Sequence, residues 1–128
     1  MRTHIYTAII ERSIDAYWAY IPELEGVSGI GDNVTEAKNS MLEGLRIQQE
    51  LGNIPTANYS IKYQFDIISL LSYFKGILTN AAFERLTGIN QMQMSHYANG
   101  LKKPRKAQRE KIEKALHQLG EELISIHL

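Results

Sequence analysis

The chain has 128 residues, a hydrophobic fraction of 44% and equal numbers of acidic and basic residues. This length allows one ordinary domain or two small ones, and the composition excludes wholesale disorder. The chain has no cysteine, which excludes disulfides and thiolate metal sites. Because no apolar run reaches the roughly 18 residues that span a bilayer, and the first residues lack a signal-peptide layout, we expect a cytoplasmic protein.

The two halves of the chain carry opposite charge. Residues 1–66 hold five Lys or Arg against nine Asp or Glu, and residues 67–128 hold nine against five, so the net charges are −4 and +4. Five of the nine cations in the second half lie between Lys102 and Arg109, a spacing typical of a patch. The asymmetry predicts two modules with oppositely charged partners.

The first half predicts a sheet with one helix, in the order β-β-β-α-β. The predicted strands, rich in β-branched and aromatic residues, are 4–11, 16–21, 27–30 and 59–66. Asn33 is expected to cap a helix that ends near Gly52, because Glu36 completes a capping-box pattern. Gly44 within it is expected to permit close packing on the sheet. Apolar and polar residues alternate strictly along the last predicted strand, which predicts that it belongs to an antiparallel sheet.

From residue 67 onward the spacing of apolar residues becomes helical and predicts four helices. Thr79 and Asn90 are placed to cap the second and third of these, with Gln93 at the capping-box position, and Pro104 opens the last. In that helix, Leu123 and neighbouring apolar residues can serve either a subunit contact or the core. We therefore predict an α+β fold, with an α/β domain at residues 1–66 and an all-α domain at residues 67–128.

The third predicted helix and the loop after it carry residues suited to binding DNA. Gln91 and Gln93 lie in its first turn, and a glutamine amide both donates and accepts, as an adenine edge requires. The free N–H groups of that turn also favour a phosphate. Lys102, Lys103 and Arg105 add an attraction to phosphates that does not depend on base sequence.

The segment from residue 78 to residue 104 resembles the Xre/Cro-type helix-turn-helix of bacterial and phage repressors. The matching elements are Leu78-Thr79, Ala82, Leu86-Thr87-Gly88-Ile89, Asn90-Gln91 and Asn99-Gly100 before Lys102, Lys103 and Pro104. The pattern differs at Met92 and Ala98. The resemblance implies DNA contacts from Asn80, Gln91, Gln93 and His96, and Asn90 joins them at the start of the helix.

An aromatic cluster distinguishes the second predicted strand. Tyr17 and Trp18 are adjacent and must face opposite sides of the sheet, of which the single helix covers one. One of the two is therefore expected to be exposed, as is typical of a residue that anchors a protein partner. The net negative charge of residues 1–66 suits a basic partner.

The same region resembles the HicB antitoxin family. The resemblance depends on four segments: Tyr17-Trp18-Ala19, Pro22-Glu23-Leu24-Glu25-Gly26, Gly31-Asp32 and Thr35-Glu36-Ala37. The resemblance implies a partial RNase H-like fold without nuclease activity, binding to a small basic HicA-type toxin that cleaves mRNA, and repression of the operon that encodes the pair. The expected toxin-binding residues are Tyr17, Trp18, Tyr20, Glu23 and Glu25.

The sequence thus predicts an antitoxin and autorepressor rather than an enzyme, with no catalytic residue, metal or cofactor. It would bind a HicA-type toxin and double-stranded operator DNA as a homodimer or tetramer. Two alternatives stay open. One is a stand-alone transcriptional regulator whose N-terminal domain senses a ligand. The other is a metal-dependent nuclease of RNase H type, with Asp32 and Glu36 as candidate carboxylates.

Overall fold

The computed structural model describes residues 3–55 and 58–128. The chain divides into two compact units, Met1–Ser69 and Leu70–Leu128. The first contains a four-stranded sheet and a long helix, and the second is helical, which confirms the predicted α+β class. Within the described ranges, no helix combines the length and the apolar character needed to cross a bilayer.

The elements follow the predicted order. The strands are β1 (His4–Arg12), β2 (Tyr17–Tyr20), β3 (Ser28–Gly31) and β4 (Tyr59–Phe65). The helices are α1 (Val34–Glu50), α2 (Ile67–Tyr73), α3 (Asn80–Thr87), α4 (Gln91–Ala98) and α5 (Lys106–Ile124). Helix α2 ends at Tyr73, because the chain turns after it and the Phe74 carbonyl accepts from the N–H groups of both Ile77 and Leu78.

The strands of the first unit lie in the order β3-β2-β1-β4. The pairs β1–β2 and β2–β3 are antiparallel, whereas β4 pairs with β1 in parallel. The prediction that the last strand belongs to an antiparallel sheet was therefore wrong. The physical reason is the connection: β3 and β4 run in the same direction, and a helical crossover such as α1 is what joins parallel strands.

Helix α1 covers one face of this sheet. On the sheet side Ala8, Ile10 and Ala19 are fully buried. The buried residues of the helix are Val34, Ala37, Met41 and Leu45. The helix begins as predicted at Asn33, whose Oδ1 accepts from the Glu36 N–H at 2.9 Å.

Two glycines of β3 set how closely the helix approaches the sheet. A Cβ at Gly29 would lie 2.2 Å from the Met41 backbone nitrogen, and a Cβ at Gly31 would lie 2.6 Å from the Ala37 nitrogen. At Gly44, the predicted site of close packing, the nearest atom would be 3.5 Å away, an ordinary contact. The close approach therefore depends on the glycines of the strand rather than on that of the helix.

The second unit has its core between α3, α4 and α5. The core includes Phe83, Ile89, Met94, Tyr97 and Ile112. In α5, Ile112 and Ala115 are buried, whereas Leu123 and, just beyond the helix, Ile126 are each 57% exposed. The end of α5 therefore does not contribute to the core of this unit.

Specific hydrogen bonds fix the turn between α3 and α4. Thr79 caps α3, accepting from the Ala82 N–H at 3.0 Å, and Gly88 ends it with a φ of 79°. This left-handed conformation favours glycine. The buried Thr87 hydroxyl donates to the Phe83 carbonyl at 2.6 Å and accepts from the Ile89 N–H at 3.0 Å. The two helices are thus held by a short, internally bonded turn.

Candidate functional site

A cleft with a volume of about 470 Å³ lies between α4 and the start of α5. Its lining residues are Gln93, Tyr97, Lys102, Lys103, Arg105 and Gln108. Four residues predicted to bind DNA are therefore brought together here, one on α4 and three in the following loop. The sequence reasoning missed Gln108, although a polar residue in the first turn of α5 is a signal that could have indicated it. Tyr97, which is buried in the core of the helical unit, also lines the cleft.

The end of α4 explains why the basic loop lies beside this helix. Gly100 has a φ of 76°, and the His96 carbonyl accepts from the N–H groups of Leu101 and Lys102 at 2.9 and 3.3 Å. These bonds turn the chain back at the helix end. Beyond them, the Pro104 carbonyl accepts from Arg109 Nη1 at 3.0 Å, which ties the loop to α5.

The cations of the cleft carry uncompensated charge. Among residues 3–55 and 58–128, no ion pair involves Lys102, Lys103 or Arg105. Arg46 on α1 shows the contrast, since it bonds Glu43 and Glu50 and its hydrogen bond lowers the pKa of the Glu43 carboxyl. The cleft cations are therefore available to an outside anion.

The side chains at the start of α4 are already oriented. Asn90 Oδ1 accepts from the Gln93 N–H at 2.8 Å, as predicted for a cap. Gln91 Nε2 donates to Glu84 Oε2 at 3.3 Å, and Gln93 Nε2 donates to the Tyr97 hydroxyl at 2.9 Å. The Gln93 side chain thus bonds Tyr97 rather than closing the predicted capping box. Both glutamines keep their carbonyl oxygen as an acceptor for an outside donor.

Asn80 and His96 do not line the cleft. Asn80 is the half-buried first residue of α3. His96 is also half-buried, and its Nδ1 is buried without a hydrogen-bond partner among the described residues. Asn90 and Gln91 are exposed at the start of α4 but do not line the cleft either. The predicted set therefore divides between the cleft, the starts of α3 and α4 and, for His96, the last turn of α4.

In the first unit, the face of the sheet that α1 leaves uncovered holds Trp18 and Tyr20. Trp18 is 41% exposed and lies between Glu11 on β1 and Ile30 on β3. Tyr17 points to the opposite face, where the Arg12 guanidinium lies 5.8 Å from its ring centre. Of the two adjacent aromatics, Trp18 is therefore the more exposed.

The predicted carboxylates lie elsewhere. Glu23 and Glu25 belong to the turn after β2, and Glu23 Oε2 is 3.3 Å from His4 Nε2, at the start of β1. Trp18 pairs near the other end of that strand. The five residues predicted to bind the toxin therefore do not form one continuous surface.

The carboxylates of the nuclease alternative lie at the start of α1. Glu36 Oε2 accepts from the Asp32 N–H at 2.8 Å, which engages it with the backbone just before the cap. Within the described part of the chain, no three His, Cys, Asp or Glu side chains come together as a metal-binding group would.

The fold and its surfaces define an α+β protein of two units, one with a sheet that a helix covers on one face only, and the other with a basic cleft. A UPF0150 protein of Synechocystis sp. is 45% identical to this chain over 42 residues. These residues are 32% of this chain and 58% of the relative, so the chain spans less than two thirds of the curated relative that it matches. No family model and no solved structure matches. The chain thus has a distant and partial relation to a UPF0150 protein.

Proposed function

We propose that this protein is an antitoxin that also represses its own operon. Its helical unit binds double-stranded operator DNA, and its sheet unit binds a small basic toxin of the HicA type. The observation that carries the proposal is the cleft, in which Gln93 lies beside Lys102, Lys103 and Arg105.

The chemistry of the cleft favours DNA as the ligand of the helical unit. The cations supply an attraction to phosphates, and the first turn of α4 adds the positive end of a helix dipole. The acceptor oxygens of Gln91 and Gln93 suit donor groups on base edges, such as adenine N6. This combination of unspecific attraction and oriented amides is what a sequence-reading helix needs.

The sheet unit supports the second half of the proposal. Residues 1–66 carry a net charge of −4, which suits a basic protein, and Trp18 offers an exposed aromatic anchor. The relation to a UPF0150 protein agrees with the resemblance of this region to HicB antitoxins. We expect a homodimer or tetramer, because two half-sites about one helical turn apart provide the affinity that a single small module lacks.

The DNA-binding half is tested by selecting double-stranded sites from a random pool with the full chain. We expect Gln91→Ala and Gln93→Ala to weaken binding to the selected site by about 1–3 kcal/mol and to spare binding to random DNA. Gln64→Ala, on β4, is the matched control and should bind like the parent. Failure to enrich any site, or unchanged affinity in both α4 variants, would overturn this half.

The antitoxin half is tested by co-expression with the product of the adjacent reading frame. We expect a small basic protein that arrests growth alone, is silenced by this chain and co-purifies with it. Trp18→Ala should reduce the protection, whereas Tyr17→Ala, on the other face of β2, should reduce it less. A neighbouring product that is harmless, or that does not bind this chain, would contradict the proposal.

A further inference from the structure

A shallow pocket of about 320 Å³ opens on the uncovered face of the sheet. Its lining residues are Glu11, Arg12, Ser13, Trp18 and Tyr20. Trp18 lies directly opposite Glu11 in the β1–β2 register, and Tyr20 follows two residues later on the same face. The pocket thus combines two aromatic rings with one carboxylate.

The carboxylate of this pocket is held in place but not neutralised. The Tyr20 hydroxyl donates to Glu11 Oε1 at 2.8 Å. No ion pair to Glu11 occurs among the residues that the structure describes, and Glu11 is exposed. Its second oxygen therefore remains available to a cation that enters the pocket.

Arg12 belongs to the lining of the pocket, but its guanidinium does not supply that cation. It follows Glu11 on β1, so its side chain points to the other face of the sheet, where its guanidinium lies 5.8 Å from the centre of the Tyr17 ring. Beside the pocket, Ile14 at the β1–β2 turn is 98% exposed, and Ile30 is 49% exposed next to Trp18. Together with Trp18, these side chains form an exposed apolar patch with polar groups beside it, which is typical of a surface that meets another protein.

We propose that this pocket receives the guanidinium group of an arginine on a basic protein partner. An arginine satisfies both parts of the pocket, because its planar group stacks on an aromatic ring and its N–H fork bonds a carboxylate. A lysine ammonium lacks the planar face and the fork. The net charge of −4 over residues 1–66 complements a basic partner. The inference deepens the partner binding proposed above by naming the contact.

The pocket can be probed without the partner, because Trp18 is the single tryptophan of the chain. We would titrate the full protein with a short peptide of alternating glycine and arginine and follow the tryptophan fluorescence. The same peptide with citrulline in place of arginine keeps the shape and removes the charge. We expect the arginine peptide to change the fluorescence saturably and the citrulline peptide to leave it unchanged.

Two variants distinguish the pocket from general attraction to an acidic surface. Glu11→Gln keeps an oxygen acceptor for the Tyr20 hydroxyl and should weaken arginine-peptide binding roughly tenfold. Asp66→Asn removes an exposed carboxylate of the same unit, between β4 and α2, and should bind like the parent. Equal losses in the two variants, or equal binding of both peptides, would overturn the inference. Since neither DNA nor toxin is present, this result is independent of the tests of the proposed function.

Discussion

Gln93 donates a hydrogen bond from Nε2 to the hydroxyl of Tyr97 at 2.9 Å, one helical turn away. Tyr97 is only 2% exposed and lies in the core of the helical unit, whereas its hydroxyl reaches the cleft. The bond therefore connects a side chain fixed by packing to an amide at the surface. A glutamine held in this way loses less conformational freedom when it binds than a free one.

Removing the Tyr97 hydroxyl should affect DNA recognition through Gln93. We expect Tyr97→Phe to lower the affinity for the selected DNA site by about 0.5–1.5 kcal/mol, the usual worth of one hydrogen bond, and to leave binding to random DNA unchanged. Fluorescence anisotropy with both DNAs measures this. Tyr6→Phe in the sheet unit is the control. Equal losses on both DNAs would indicate that Tyr97 does not position Gln93.

The basic loop should determine the salt dependence of binding. We expect the Lys102→Ala and Lys103→Ala double variant to reduce the slope of log affinity against log salt by about 0.9 for each DNA phosphate that it no longer neutralises. Titrations at several salt concentrations measure the slope. Lys62→Ala, on β4, removes a cation from the other unit and should leave it unchanged. A parental slope in the double variant would exclude these lysines from the interface.

Alanine at Gly29 of β3 and alanine at Gly44 of α1 should change the free energy of unfolding in opposite directions. Gly29→Ala places a Cβ against the helix backbone and should lower the free energy of unfolding by about 1–3 kcal/mol. Gly44→Ala meets an ordinary contact and should raise it by about 0.5–1 kcal/mol, because alanine favours helix. Urea unfolding followed by Trp18 fluorescence reports on this unit. Destabilisation by Gly44→Ala would show that the helix glycine matters instead.

The titration of Tyr20 should depend on Glu11. The hydrogen bond to Glu11 raises the pKa of the Tyr20 phenol, with burial and the negative charge of Glu11 adding to it. The pKa of Tyr20 is higher in the folded protein than in the unfolded chain. The hydrogen bond therefore contributes its full stabilisation of the fold at pH values below the pKa of the unfolded phenol, and this contribution is lost as pH rises through the folded pKa. We expect Glu11→Ala to lower the pKa of Tyr20 in an NMR titration of the tyrosine rings.

Tyr63 provides the internal control for that titration. Its pKa is raised mainly by burial and secondarily by Tyr59, and neither cause involves Glu11. We therefore expect the pKa of Tyr63 to be the same in the parent and in Glu11→Ala. A Tyr20 midpoint that does not move would contradict the assigned cause.

Local patterns were sufficient to predict the order of the elements and three of the helix caps. Asn33, Thr79 and Asn90 each accept the capping hydrogen bond that their spacing indicated, and Gly88 ends α3 in the left-handed conformation. These features depend on residues three or four positions apart, which the sequence displays directly. The pairing of β4 was mispredicted because its partner, β1, is more than fifty residues away.

The candidate sites were predictable in composition but not in arrangement. Residue types indicated Gln93 and the loop cations, and alternation indicated that one of Tyr17 and Trp18 is exposed. The bond from Gln93 to Tyr97, and the pairing of Trp18 with Glu11, depend on helix packing and strand register.

By itself, the sequence determined the order of the helices and strands, where α1, α3 and α4 begin, and which half of the chain is acidic or basic. The tertiary structure decided which side chains meet: the glycines of β3 against α1, the cations beside Gln93, and the carboxylate beside Trp18. The reason is the range of the interactions. Caps and periodicity act within a few residues, whereas register and packing depend on residues brought together from distant parts of the chain.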